Sequence, residues 1–136
     1  NSKYHINMFG PIKIYLDKSK AKIKIGDNTR IHGSCLHAYE SIEIGNNCLI
    51  SSNCQIFDGS GHDTLIEDPA KRINSTGGSK PITIGDNCWI GTSTIILPGT
   101  KLGNNCITAA GSVVSGKFED NSLIGGNPAK FIKFIK

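Results

Sequence analysis

Branched aliphatic residues return every six positions along most of this chain. They stand at Ile25 and Ile31, at Ile44, Ile50 and Ile56, and at Ile84, Ile90, Ile96 and Leu102, with Thr108 and Val114 continuing the last run. A fixed short repeat is read before local propensity, because missing it mistakes the whole fold. Six fits neither a helix nor a hairpin meander. It is the period of a parallel β-helix, in which each hexapeptide supplies one short strand and one corner.

The rest of the unit agrees. With the aliphatic residue as position one, position two holds Gly26, Gly45, Gly85, Gly91 and Gly103. Position four holds Asn28, Asn47, Asn53, Asn87, Asn105, Gly99 and Gly111. Asn and Gly tolerate a positive φ, so position four reads as a tight corner. Position five holds Thr29, Cys35, Cys48, Cys54, Cys88, Thr94, Thr100, Cys106 and Ser112. Two residues on, the next position one points the same way, so both face a narrow core. Eighteen residues separate Cys88 from Cys106, which stacks them if three hexapeptides make a coil. Nineteen separate Cys35 from Cys54, which implies one extra residue at a corner near His37–Ser41.

One stretch breaks the phase. Residues 57–81 carry no repeat and are rich in Gly, Ser, Asp, Lys and Arg; Ile82-Thr-Ile84-Gly then resumes it. Loops of this length are usually functional or disordered, and in a solenoid insertions map to one face, often the binding face. This one contains Asp58-Gly-Ser-Gly-His62-Asp63. Histidine suits proton transfer near neutral pH, and Asp58, Asp63 and Glu67 are local carboxylates able to orient its ring.

Composition narrows the reading. The chain's 136 residues suit a single domain, 1–136, and its net charge of +4 is too mild for a nucleic-acid binder. The chain begins at Asn1 without methionine, which leaves room for an upstream segment that completes the acceptor pocket. No apolar run approaches the ~20 residues of a membrane span. Lys13, Lys18, Lys20, Lys22 and Lys24 largely alternate with apolar residues and read as a solvated strand face. All five cysteines fall at the small inward position, with no Cys-x-x-Cys pair. Reduced core thiols and the lack of a signal peptide point to the cytoplasm.

Ile84-Gly-Asp-Asn-Cys-Trp89-Ile90-Gly91, Ile96-Leu-Pro98-Gly99, Ala110-Gly111-Ser112-Val-Val and Gly126-Asn127-Pro128-Ala129-Lys130 follow one another in order and spacing. This combination resembles the hexapeptide-repeat acyltransferases, which include the galactoside, maltose and xenobiotic acetyltransferases and sugar O-acetyltransferases. The likeness is dense over Phe57–Lys133, looser over Ile23–Ile56, and absent from residues 1–22. It implies an all-β fold, a left-handed parallel β-helix with one long loop. The repeat length gives about four to five coils ~4.8 Å apart, and Phe131-Ile-Lys-Phe134 is available to cover one end.

The resemblance also implies acetyl transfer from acetyl-CoA to a hydroxyl, without a metal, in a homotrimer with sites between subunits. His62 matches the catalytic general base. Trp89 matches the tryptophan lining the CoA site, and Thr92 and Ala110 match positions that hold the pantetheine arm. Ser115 matches a threonine near the nucleotide; Gly116 stands where lysine is common, with Lys117 one step later. Lys130 and Lys133 match basic positions that can meet CoA phosphates. His37, Tyr39, Asn53 and Asp58 fall where the acceptor would lie, and a sugar or polysaccharide precursor is the acceptor implied. Three readings compete: N-acetylation of an amino sugar, a γ-carbonic-anhydrase-like zinc enzyme using His32, His37 and His62, and a non-catalytic β-helix binding module.

Overall fold

The computed structural model of the chain describes residues 10–136. Fifteen strands wind into five coils of three. The first coil holds β1 (Lys13–Leu16), β2 (Lys22–Ile25) and β3 (Arg30–Ile31); the second holds β4 (Cys35–Ala38), β5 (Ser41–Ile44) and β6 (Leu49–Ile50). The third holds β7 (Gln55–Phe57), β8 (Ile82–Ile84) and β9 (Trp89–Ile90). The fourth holds β10 (Ile95–Ile96), β11 (Lys101–Leu102) and β12 (Ile107–Thr108), and the fifth β13 (Val113–Val114), β14 (Lys117–Phe118) and β15 (Ser122–Gly126). Stacking the coils makes three parallel sheets: face 1 is β1-β4-β7-β10-β13, face 2 is β2-β5-β8-β11-β14, and face 3 is β3-β6-β9-β12-β15. The result is a left-handed parallel β-helix. Among the described residues the coils therefore begin at Lys13, twelve residues before Ile25, where the hexapeptide phase becomes visible. After the cis Asn127–Pro128 bond, β16 (Ala129–Phe134) folds back antiparallel on β15. The Phe131 and Phe134 rings meet edge to face at 4.8 Å.

Position one fills the interior in columns. Leu36, Ile56, Ile96 and Val114 stack on face 1, and Ile31, Ile50, Ile90, Thr108 and Ile124 on face 3. All are buried. Position-five hydroxyls close their own corners: Thr94 Oγ1 donates to the Gly91 carbonyl at 2.7 Å and Thr100 Oγ1 to the Leu97 carbonyl at 2.7 Å. The cysteine column binds forward instead. Cys48 Sγ donates to the Gly85 carbonyl and Cys88 Sγ to the Gly103 carbonyl, each at 3.1 Å. Cys88, the middle of the Cys48–Cys88–Cys106 row, is pushed well above the ordinary thiol range by its contacts with Cys106 and Cys48 and by burial. Burial also raises Cys54.

Two details of register differ from the sequence reading. Leu36, not His37 two residues after Cys35, occupies the inward position, because Cys35 pairs with outward Gln55 and Leu36 with Ile56. Ser34 takes the small inward place beside Cys54, whose N–H its Oγ accepts at 3.0 Å. Cys35 is thus half-exposed while the other four thiols are buried. The coil is one residue short before Leu36 and two residues long before Ile44, so the corner at Tyr39–Glu40 bulges more than a single insertion requires.

Position three, which the repeat left unread, explains position two. The Asn46 side-chain oxygen accepts the Asp27 N–H, Asp86 accepts Asn46, Asn104 accepts Asp86 and Asp120 accepts Asn104, at 2.7–2.8 Å. This Asx ladder runs the length of the corner between faces 2 and 3. Gly26, Gly45, Gly85 and Gly103 each leave room for the rung above, from Asn46 to Asp120. A Cβ on Gly45 would stand 2.3 Å from Asp86 Oδ1. The glycine is steric here, not conformational.

Replacing Gly45 with alanine is therefore expected to cost about 1–3 kcal/mol by overpacking. Gly78→Ala, where an added Cβ meets nothing within 4 Å, is the control and should be nearly neutral. Urea melts of the two variants check the difference.

Candidate active site

The insertion leaves the helix at the corner between faces 1 and 2, after β7, and returns at β8. Its root is a short antiparallel stalk. Gly59 bridges Ser79, the Ser60 N–H donates to the Gly78 carbonyl at 3.0 Å, and the Lys80 N–H donates to the Asp58 carbonyl at 2.8 Å. A 3-10 segment, Pro69–Asn74, forms the outer part.

His62 sits just above the stalk and is exposed in the single chain. Its Nδ1 lies 2.8 Å from the Arg72 carbonyl. A carbonyl only accepts, so Nδ1 carries a proton, and in the neutral ring Nε2 keeps its lone pair. That is the tautomer a general base needs. The orienting group is thus a backbone carbonyl; none of Asp58, Asp63 and Glu67 holds the ring. The same carbonyl accepts the Ser75 N–H at 3.0 Å and the Ser75 hydroxyl at 2.7 Å. Arg72 Nε donates to the Thr64 carbonyl.

Asp58 is not an acceptor-binding residue. Its relative exposure is 0%, and its carboxylate accepts the backbone N–H groups of Tyr39 at 2.6 Å, Glu40 at 2.9 Å and Ser41 at 2.6 Å. His37 and Tyr39, in contrast, are brought to the foot of the loop. Their rings stack at 4.6 Å, and Tyr15 meets His37 edge-on at 4.9 Å. His37 Nε2 pairs with Asp17 at 2.9 Å. Tyr39 packs on the stalk so closely that a Cβ on Gly59 would stand 2.3 Å from its ring. Asn53 lies apart, at the corner between faces 3 and 1, with φ +59° and its amide on Ser93 Oγ at 3.1 Å. It serves as a corner residue there and does not share the His37–Tyr39 cluster.

The donor-side residues divide into two groups. Trp89 points outward from face 3, half-exposed, with Leu49 and Ile107 beside it on the neighbouring coils. Its Nε1 lies 3.4 Å from Ser51 Oγ. Thr92 and Ala110 stack at the next corner, where the Thr92 carbonyl accepts the Gly111 N–H at 2.8 Å. Among the described residues the Ala110 N–H has no carbonyl partner. Lys130 and Lys133 lie on β16, at the end of face 3. Ser115 and Lys117 lie elsewhere, at the loop's own corner two coils further on. In a three-sided prism the corner between faces 1 and 2 is opposite face 3. One chain therefore keeps His62 and Trp89 apart.

The three histidines weighed for zinc are not brought together. His32 is at a corner, His37 is on face 1 and His62 is in the loop. Among the described residues no group of three such side chains can hold a metal, and no helix is long and apolar enough to cross a membrane.

Sequence reasoning missed Arg72, because its contribution comes from the backbone and leaves no side-chain signature. It also missed the structural role of Asp58, for which the extra corner residue near His37–Ser41 was the available signal.

Family models match both halves of the repeat. Residues 81–116 match the bacterial transferase hexapeptide model (six repeats) and residues 22–57 the hexapeptide repeat of succinyl-transferase. The chain is 37% identical to the galactoside O-acetyltransferase of Escherichia coli over 95 residues, 70% of this chain and 45% of that one. It superposes on a hexapeptide-repeat acetyltransferase from Vibrio cholerae with a TM-score of 0.79 at 30% identity, covering 92% of this chain and 70% of the other. A galactoside acetyltransferase in complex with coenzyme A gives a TM-score of 0.78 at 33% identity, with coverage of 90% and 60%. The chain spans 57% to 66% of the length of relatives from Saccharomyces cerevisiae, Dictyostelium discoideum and Escherichia coli.

Burial, then the fields of Asp17 and Asp58, raise the Tyr39 phenol above the ordinary tyrosine range. The folded state thus holds this proton longer than the unfolded one. The stability it carries is complete below pH ~10 and is lost as pH rises through the raised folded value. Tyr39→Phe should remove the latest step of an ultraviolet phenolate titration and flatten the alkaline fall in thermal midpoint.

Proposed function

The chain belongs to the hexapeptide-repeat acyltransferase family, and from that premise we propose that it moves an acetyl group from acetyl-CoA to a hydroxyl of a sugar or polysaccharide precursor. The observation that carries this reading is His62, held through Nδ1 by the Arg72 carbonyl, which leaves Nε2 of the neutral ring free to accept a proton. Nε2 takes the acceptor hydroxyl proton as its oxygen attacks the thioester carbonyl. The tetrahedral intermediate then expels the CoA thiolate, which takes the proton from the imidazolium. The products are the acetyl ester and free CoA. No acyl-enzyme is needed, and four of the five thiols are buried in the core.

The donor would lie along face 3. Trp89 offers an exposed aromatic wall, and the Thr92 and Ala110 edge offers hydroxyl and amide groups to the pantetheine arm. Lys130 and Lys133, on β16 at the end of this face, are the cations available to the phosphates, and Ser115 and Lys117 would reach the nucleotide from the loop corner of a neighbouring subunit. The acceptor would rest at the foot of the loop, where Tyr39 and His37 present a stacked aromatic surface suited to a sugar ring.

Because one chain sets the base opposite the donor face, the working unit is a homotrimer. There the loop corner of one subunit faces the Trp89 face of the next. This packing would also cover the exposed His62 and exclude water from the thioester.

Thiol release from acetyl-CoA, measured across a panel of sugars, amino sugars and sugar nucleotides, tests the reaction. His62→Ala should lower acceptor-dependent release by ~10²–10⁴-fold, and Trp89→Ala should chiefly raise the KM for acetyl-CoA. Transfer to amines alone would replace the hydroxyl acceptor, and unchanged release in His62→Ala would remove the base.

The subunit arrangement has its own check. Co-refolded His62→Ala and Trp89→Ala chains, assayed at low acetyl-CoA, should exceed either alone, because some sites then combine two intact halves. Strictly additive rates would rule out a site shared between subunits.

A further inference from the structure

Resting on the reading above, the geometry points to Asp58 as the positioning residue of this site: it locks the root of the His62 loop and the Tyr39 corner into one unit. Each polar group of Asp58 engages a different part of the junction. Its N–H donates to the His37 carbonyl at 3.4 Å, at the end of β4. Its carbonyl accepts the Lys80 N–H at 2.8 Å, on the returning arm of the stalk. Its carboxylate takes the three successive N–H groups of Tyr39, Glu40 and Ser41.

Those three amides belong to the corner that carries the two extra residues. A bulged corner loses the coil-to-coil partners that regular corners have, and buried amides without partners are costly. Asp58 supplies the partners from the coil above. Burying a carboxylate is itself unfavourable unless it is fully hydrogen-bonded, and here charge-assisted bonds satisfy both oxygens. The same junction fixes Tyr39 against Gly59. Ser79 Oγ adds a bond to Glu40 Oε2 at 2.9 Å from the other arm. The outcome is a rigid base from which His62 rises four residues later, beside the aromatic surface that faces the acceptor. Asp58 has no exposed surface, so it acts through His62 and Tyr39 and not on the substrate.

Asp58→Asn keeps the size but turns one acceptor into a donor that faces N–H groups. Steady-state kinetics of the full chain should show kcat lower by about 10- to 100-fold, a raised acceptor KM, and a KM for acetyl-CoA within about twofold of wild type. Groups acting as one unit are non-additive, so Asp58→Asn should add less than about twofold on a His62→Ala background. A parallel measurement is independent of turnover. Ring nitrogen NMR signals of His62 should show the Nδ1–H tautomer in the wild type and a tautomer average in Asp58→Asn. Wild-type kcat in Asp58→Asn, a full additional loss on the His62→Ala background, or unchanged ring signals would each overturn the proposal. If the wild-type chain acetylates no acceptor, the acetyltransferase reading falls, and the ring signals still decide whether Asp58 positions His62. Gly59→Ala disturbs the same junction from the stalk side and carries the same measurements where Asp58→Asn does not fold.

Discussion

Two-residue strands hold no shape alone. Each coil here is held because its corner amides are accepted by side chains and carbonyls of the coil above, most regularly by the rungs from Asn46 to Asp120. That dependence explains much else in the molecule. It demands a glycine beneath each rung, at Gly26, Gly45, Gly85 and Gly103, a positive φ at Asn28, Asn47, Asn87 and Asn105, and small side chains at position five. It leaves free only the outward position and the corners where a coil departs from eighteen residues. Chemistry in this fold is confined to those places.

The candidate site occupies the departures. The bulged corner at Tyr39–Glu40 and the insertion at residues 58–81 lie on adjacent coils at the same edge of the prism. Regular partners are lost at both. Substitutes are built from single groups that serve several donors: the Asp58 carboxylate at the root, the Arg72 carbonyl beneath His62. A solenoid can carry a precise side chain on a long loop only if the loop's first turns are as well bonded as the coils. In this chain they are, since the stalk pairs both arms before His62 emerges.

Much of this was legible in the residues. The six-residue return of Ile gave the three faces, their columns and the stacking of Cys88 on Cys106. The broken phase located the loop, and the lysine alternation near the start marked an outward strand face. What escaped has a common physical origin. Ser34 and Cys35 are both small, so a one-residue shortening and a two-residue lengthening were indistinguishable from a single insertion until Leu36 was seen against Ile56. The Asx ladder repeats with Asp and Asn mixed, which hides it from a search for identical residues. The partner of His62 is a peptide carbonyl, which every residue possesses. Asp58 looked like a ligand group because sequence shows charge but not that three amides already consume it.

The first described coil carries one more lesson. Its inward residue Ile14 sits in the core register below Leu36 yet is 54% exposed, so the strand edges and apolar interior of this coil have no cover among residues 10–136. Exposed parallel edges invite the same edge of another copy. Lys13, Lys18, Lys20, Lys22 and Lys24 all lie exposed on this coil. Two such coils brought together would crowd ten ammonium groups into one seam, a Coulombic toll that apolar contact between the coils would have to exceed. Wherever this coil stands uncovered, its lysines oppose the stacking of a second copy upon it. That opposition is ionic, so it weakens as salt shortens the reach of the charges.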